Sequence, residues 1–372
     1  MHKSIAFPLL VGLLIASPVA GFHDGGVAHC NGCHTIHNSQ DGTLVDPDSP
    51  NGNPWLLIDE TPSDVCLGCH QNLDETAGND PLNPPPEKGA GNFVFLLEDN
   101  LNDGHAGTSN PIPGEAAGHN VVAPGHGLFP DATLNTSPGG SFPSSVLGCT
   151  SCHDPHGNDN FRLLYGAGQP VQEGLATFTS PAPEAIGISL FARELPTRHT
   201  AYLTGMSAWC QNCHGDFHAG GGRLVHPSNE SVGSAVSRAY GFYNGTLNPE
   251  SGDPAISYLP EVPFEDSSNA PSSTQGPSAS SQVSCITCHR AHATSAPDAG
   301  RWDFNVTFLE EDGVESGSWA IPNPYDHADQ RSLCNKCHLK DFGDGGSSGD
   351  RTPPGPQDPT PRREKEIYKG AS

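Results

Sequence analysis

The chain is poor in the residues that build an ordinary core. Leu, Ile, Val and Phe together are 71 of 372 residues, and the formal net charge is -25. That combination ordinarily marks a polypeptide too polar to fold unaided. Basic residues are few, 17 Lys and Arg against 42 Asp and Glu, which argues against nucleic acid or an anionic membrane surface as a partner. Methionine is limited to Met1 and Met206. Beyond residue 21 no apolar run is long enough to span a membrane. Glycine and proline are plentiful instead, 44 and 36, and break any sustained helix or strand pattern.

Against this background one pattern recurs six times: Cys-x-x-Cys-His. The copies are Cys30, Cys33, His34; Cys66, Cys69, His70; Cys149, Cys152, His153; Cys210, Cys213, His214; Cys285, Cys288, His289; and Cys334, Cys337, His338. They use all 12 cysteines. Two thiols three positions apart can each add to a vinyl group of one porphyrin, and the next histidine then binds its iron as proximal ligand. Zinc would give no reason for histidine to follow the second cysteine every time. A thioredoxin-like dithiol lacks that reason as well and comes with a βαβ pattern. Disulfides within such short loops would crosslink almost nothing. The reading is six covalently attached haem c groups, and they supply the apolar bodies the composition lacks. The polypeptide is expected to be a loop-rich wrapping, mostly coil with short helices at the motifs and few short strands.

Residues 1–21 read as a secretory signal: Lys3, an apolar stretch from Ile5 to Ala16, then Val19-Ala20-Gly21. The stretch is too short to span a membrane, so the mature chain is expected to start at Phe22 and to be exported. Residues 22–345 read as one hexahaem unit and 346–372 as a Gly/Pro/charged tail. Phe93–Leu97 is the best strand candidate, and 265–282 reads as a surface loop. Motif starts are separated by 36, 83, 61, 75 and 49 residues, so no constant period emerges.

Met206 is the one internal methionine, so histidine must supply nearly every second axial ligand. Outside the leader there are 18 histidines; six are proximal and 12 remain for six distal places. Four motifs carry another histidine close behind: His34/His37, His153/His156, His214/His218 and His289/His292. On a helical turn these would share a face with the proximal histidine, and could reach only a neighbouring haem.

Several segments extend beyond the motif itself: Phe22 to Ala28, Cys30 to Ser39, Gly118-His119-Asn120, Cys149 to Gly157, Gly205 to His214, His226-Pro227, Cys285 to Ala293 and Cys334 to His338. In these the chain resembles the hexahaem outer-surface cytochromes of the OmcS type. That resemblance implies six bis-histidine haems in one stacked chain, alternating parallel and T-shaped. It implies that His37 ligates the fifth haem of the adjacent subunit, opposite His289, giving a head-to-tail homopolymer that does not close. His23, His119, His156, His226 and His292 are the other distal ligands implied, with His218 in reserve. His29, His105, His126, His199 and His327 have no counterpart.

The function implied is extracellular electron transfer from respiration to external acceptors and other redox proteins. It needs no catalytic residues and is not enzymatic. A monomeric carrier would instead satisfy its fifth haem within one chain. A multihaem reductase would keep one iron open, often with Lys replacing a motif histidine; here all six motifs end in His.

Overall fold

A computed structural model describes residues 29–70, 89–97, 101–102, 111–171, 176–188, 193–218, 228–245, 251–306, 308–309, 312, 324–325 and 330–338. The leader, His23, His105, His226, His327 and the tail lie outside the described residues.

Coil dominates, as the composition requires. Four helices are present among the described residues: α1 (Pro62–His70), α2 (Met206–Cys210), α3 (Gly233–Phe242) and α4 (Cys285–Cys288). Six strands form three antiparallel pairs: β1 (Ser39–Gln40) with β2 (Thr43–Leu44), β3 (Leu101–Asn102) with β4 (Pro111–Ile112), and β5 (Glu184–Ile186) with β6 (Ala201–Thr204). None of the described helices is long and apolar enough to cross a membrane.

The longest motif helix, α1, has a local cause. Thr61 precedes it, Pro62 opens it, and Asp64 sits in its first turn. The Thr61 hydroxyl accepts from the Asp64 N–H at 3.1 Å and donates to its carboxylate at 2.7 Å. This satisfies an N–H that the first turn would otherwise leave unpaired, and an acid there suits the helix dipole. The other Asp64 oxygen accepts from Gly125 N at 2.9 Å and ties the helix to a distant loop.

Phe93–Leu97 is a 3-10 turn, not a strand. Asn92 Oδ1 accepts from Val94 N at 2.9 Å and starts the turn. Phe93, Val94 and Phe95 are all buried, which a strand with one wet face could not achieve.

Among the described residues, buried apolar side chains form four separate clusters, and three of them abut motif cysteines. Tyr240, Tyr258, Phe264, Trp302 and Leu333 pack against Cys288, Cys334 and Cys337. Phe142, Tyr165 and Phe178 sit beside Trp209 and Cys213. Tyr202, Met206 and Ile286 sit beside Cys210. The apolar clusters are satellites arranged along the motif line.

The stretch 265–282 is a loop, as its composition suggests, but it is held firmly. Fully buried His199 stacks on Tyr258 at 3.8 Å and donates its backbone N–H to Pro271 O at 3.0 Å. Both His199 ring nitrogens face carbonyl oxygens, of Thr200 at 3.0 Å and Ser273 at 2.9 Å. Both nitrogens are engaged by the backbone, and its role is to anchor this loop.

Candidate functional site

Each motif begins on one helical turn. The N–H of the motif histidine bonds to the carbonyl of the first cysteine in five of them, at 2.8 Å for His34, 3.0 Å for His153 and His289, 3.1 Å for His214 and 2.9 Å for His338. In the second motif the same residues lie inside α1. That turn carries the two thiols and the imidazole on one short stretch of backbone, as covalent porphyrin attachment needs.

The motifs are joined in chain order by two alternating contacts. Second thiols lie within electrostatic reach of each other in the pairs Cys33/Cys69, Cys152/Cys213 and Cys288/Cys337. First thiols meet directly in the pairs Cys66/Cys149 and Cys210/Cys285, where the two sulfurs share a hydrogen bond. The first-thiol contacts use one device twice. Ser63, three residues before Cys66, accepts from Cys149 N at 3.1 Å, and Ser207, three before Cys210, accepts from Cys285 N at 3.0 Å. Burial pushes the thiols of Cys152 and Cys288 up to about 12 and that of Cys337 to about 11.

Among the described residues, three pairs of imidazoles face each other. His34 and His156 have ring centroids 6.3 Å apart with planes 5° from parallel. His153 and His292 are 6.5 Å apart at 65°, and His119 and His214 are 5.9 Å apart at 57°. An iron with bonds of about 2 Å to a nitrogen on either side sets two such centroids roughly 6 Å apart. The pairs therefore fit an axial ligand set.

The ring orientation fits too. Nδ1 of His34 donates to Trp55 O at 3.0 Å, His153 to Arg162 O at 2.7 Å, His214 to Pro138 O at 2.7 Å and His289 to Asp298 O at 2.9 Å. His119 Nδ1 donates to Ala291 O at 2.6 Å. A carbonyl only accepts, so Nδ1 carries the proton and Nε2 is left for metal. Burial, with the nearby His214 adding to it, lowers the pKa of His119; burial also lowers that of His153. Both are thereby held in the neutral form that ligates.

Behind the first, third and fifth motifs the second histidine does not share a helical face with the first, contrary to the sequence expectation, because the proximal histidine is already in a β-bridge; behind the fourth a 3-10 helix does follow, at Gly215–His218. The chain leaves the helix at the proximal residue: His289 is already extended, at φ -111° and ψ 159°. His156 and His292 consequently lie opposite the proximal histidines of other motifs, His34 and His153. His37 is exposed. His70 ends α1, and His338 ends the stretch 330–338. The side chain of His218 lies outside the described residues, His29 is exposed and His126 half-buried.

One backbone crossing joins His292 and His119, which belong to two different facing pairs. Residues 291–294 are laced between 90–92 and 117–119: His292 N bonds Ala90 O at 2.7 Å, Asn92 N bonds Ala293 O at 2.7 Å, and His119 N bonds His292 O at 2.8 Å. Gly118 makes this approach possible, because a Cβ there would run into the His292 carbonyl and Ala293. Gly118→Ala is therefore expected to lower stability by about 1–3 kcal/mol, read from the urea midpoint. A wild-type midpoint would mean that the crossing shifts without cost.

Helical Cys-x-x-Cys-His turns in contact along the chain, with imidazoles set to face an iron, define a multihaem c-type cytochrome. The comparisons with known proteins narrow the class. A family model described as a doubled CXXCH motif matches residues 143–174. The C-type cytochrome OmcS of Geobacter sulfurreducens is 32% identical, and the alignment covers 92% of this chain and 100% of that protein. Two solved structures, "Cryo-EM of the OmcS nanowires from Geobacter sulfurreducens" and "Outer Membrane Cytochrome S Filament from Geobacter Sulfurreducens", are each similar with a TM-score of 0.73. Their identities are 28% and 29%, each covering 86% of this chain and 100% of theirs. The chain belongs to the OmcS family of multihaem c-type cytochromes, and it carries six covalently bound haem c groups.

Proposed function

We propose that this cytochrome polymerises outside the cell and conducts respiratory electrons over long distances to external acceptors. The observation that carries the reading is a rule in the histidine pairs. His34 of the first motif faces His156, three residues past the proximal histidine of the third. His153 of the third faces His292, three past that of the fifth. The same rule sends His289 to the histidine three past the first motif's proximal residue, which is His37 of another copy. The rule runs one way along the chain and leaves His289 and His37 over at its two ends. A pairing between unlike ends is heterologous and generates an open filament. The filament structures of the OmcS relatives support this, as does the exposure of His37 and of neighbouring Ile36, 76% accessible.

In this reading His34 and His156 hold the first iron, His153 and His292 the third, and His214 and His119 the fourth. His289 holds the fifth together with the neighbour's residue 37. His70 and His338 take His23 and His226 in an order we leave open, with His218 in reserve. Haem c bound in these places supplies one-electron iron chemistry. The polypeptide fixes the imidazoles of His34, His119, His153, His214 and His289 through Nδ1 carbonyl bonds and closes both axial positions, so no residue acts as a catalyst and the protein is not an enzyme. Residues 1–21 serve as export signal, 22–345 as the cytochrome unit and 346–372 as a tail. Other redox proteins at the cell surface deliver or accept the electrons.

Spectroscopy of the secreted protein tests the closed axial positions. The ferric form is expected to be entirely low-spin, and the ferrous form is expected not to bind carbon monoxide. A high-spin signal equal to one haem per chain, or carbon monoxide uptake in that ratio, would favour a reductase.

A further inference from the structure

The unequal motif spacing conceals a repeat. Behind each odd-numbered motif stands a four-residue turn whose two central residues are left-handed without being glycine. Trp55 and Leu56 have φ of 53° and 60°, Arg162 and Leu163 52° and 58°, and Asp298 and Ala299 58° and 54°. Each turn is closed by one hydrogen bond: Leu57 N to Pro54 O at 3.2 Å, Leu164 N to Phe161 O at 3.1 Å, and Gly300 N to Pro297 O at 3.0 Å. These are type I′ turns, whose twist suits a tight hairpin but which ordinarily take Asn-Gly. A Cβ makes the left-handed conformation unfavourable. Three such turns account for six of the nine non-glycine positive-φ residues among the described ones.

The surroundings repeat bond for bond. Thr35 N bonds Leu56 O at 2.7 Å, Asp154 N bonds Leu163 O at 2.8 Å, and Arg290 N bonds Ala299 O at 2.8 Å. Ile58 N bonds Cys33 O at 3.0 Å, Tyr165 N bonds Cys152 O at 3.1 Å, and Arg301 N bonds Cys288 O at 2.7 Å. In every case the carbonyl of the first left-handed residue is the one that accepts from Nδ1 of the motif histidine. The separation from histidine to carbonyl is nine residues in the third and fifth motifs and 21 in the first. The longer first loop holds the β1–β2 hairpin, and the clamp is unchanged by it. Backbone strain retained three times in one geometry, at one functional place, is a sign of use.

We propose that these three turns are positioning devices for the first, third and fifth haem sites, each aiming one backbone carbonyl at the proximal imidazole. The carbonyl fixes the rotation of the ring and, by drawing on the Nδ1 proton, makes Nε2 a stronger donor to iron. A stronger donor favours the ferric state and lowers that site's potential. The inference rests on the ligand reading above and is independent of polymerisation.

The test compares Arg162→Pro with Arg162→Gly in the full-length holoprotein by spectroelectrochemical titration. Proline cannot adopt positive φ, whereas glycine does so freely. Both variants remove the guanidinium that acts on His153, so the glycine variant is the reference: Arg162→Pro is expected to have one of six potentials higher than in Arg162→Gly, with the other five the same in both. Six potentials identical in the two variants would overturn the proposal, as would a third-site potential lower in Arg162→Pro than in Arg162→Gly. If Arg162→Pro does not mature with six haems, a side-chain-resolution map of the unmodified holoprotein decides. All three turns left-handed with their carbonyls on Nδ1 would uphold the proposal; one turn of another form would overturn it. Discrete particles in place of filaments would sink the polymer reading alone.

Discussion

His37→Ala is expected to weaken polymerisation severely while leaving six attached haems. Residue 37 contributes no thiol and lies after the first motif's helical turn, so cofactor attachment is untouched. What disappears is the single imidazole that the pairing rule assigns to the neighbour's His289. His289 is exposed and already oriented by its bond to Asp298 O at 2.9 Å, so the vacancy falls on an otherwise finished site. Ligation of a subunit's iron is linked to association, and anything that binds only the assembled state stabilises it by mass action. Losing a bond of this kind should raise the critical concentration for assembly at least ~100-fold, equivalent to about 2.7 kcal/mol. Sedimentation and negative-stain microscopy read the assembly, and carbon monoxide binding to the ferrous variant reads one newly open iron per chain. Normal filaments with no carbon monoxide uptake would make the residue 37 assignment wrong.

Lys336→Met is expected to lower stability by about 3 kcal/mol, the second largest effect. Lys336 lies inside the sixth motif, between Cys334 and Cys337, and is fully buried. Its ammonium donates to the carbonyls of Tyr240 at 2.8 Å, Tyr243 at 3.0 Å and Ser257 at 3.2 Å, and to the Tyr325 hydroxyl at 2.9 Å. The Nζ also sits 4.2 Å from the centre of the Tyr240 ring. Burial pulls its pKa down to about 7, and this acceptor cage pulls the other way, since carbonyls have no proton to give a neutral amine. Methionine fills the volume but takes the amine bond from the carbonyls of Tyr240 and Ser257, at ~1–3 kcal/mol each, while Tyr243 O keeps the Tyr325 hydroxyl at 2.9 Å; the loss is partly offset by the burial penalty of the lost charge. The urea midpoint of the holoprotein measures the difference. An unchanged midpoint would mean that the buried amine contributes nothing to the junction of α3 with the sixth motif.

The sequence is most informative where chemistry is local. Six Cys-x-x-Cys-His turns, the haem count and the coil-rich fold all follow from residues within five positions of one another or from composition. What the sequence conceals depends on the path of the chain. The facing of His34 with His156 needs the return of residues 154–156 to the first motif, and no spacing rule encodes that. The expectation of a shared helical face fails behind the first, third and fifth motifs, where the chain leaves the helix at the proximal histidine. Phe93–Leu97 looks like a strand because five apolar residues in a row fit a buried strand or a buried turn equally; Asn92 decides, through one side-chain bond. The threefold clamp is hidden by an inserted hairpin in its first copy, and by turns made of Trp-Leu, Arg-Leu and Asp-Ala where Asn-Gly would have announced them.

The measurement that bears most directly on the account is a cryo-electron microscopy map of the secreted protein at a resolution that shows the fifth haem's ligands. The account predicts filaments in which His289 of one chain and residue 37 of the next lie on opposite sides of the same iron. Discrete particles, or a fifth iron that is open or completed from within its own chain, would contradict it.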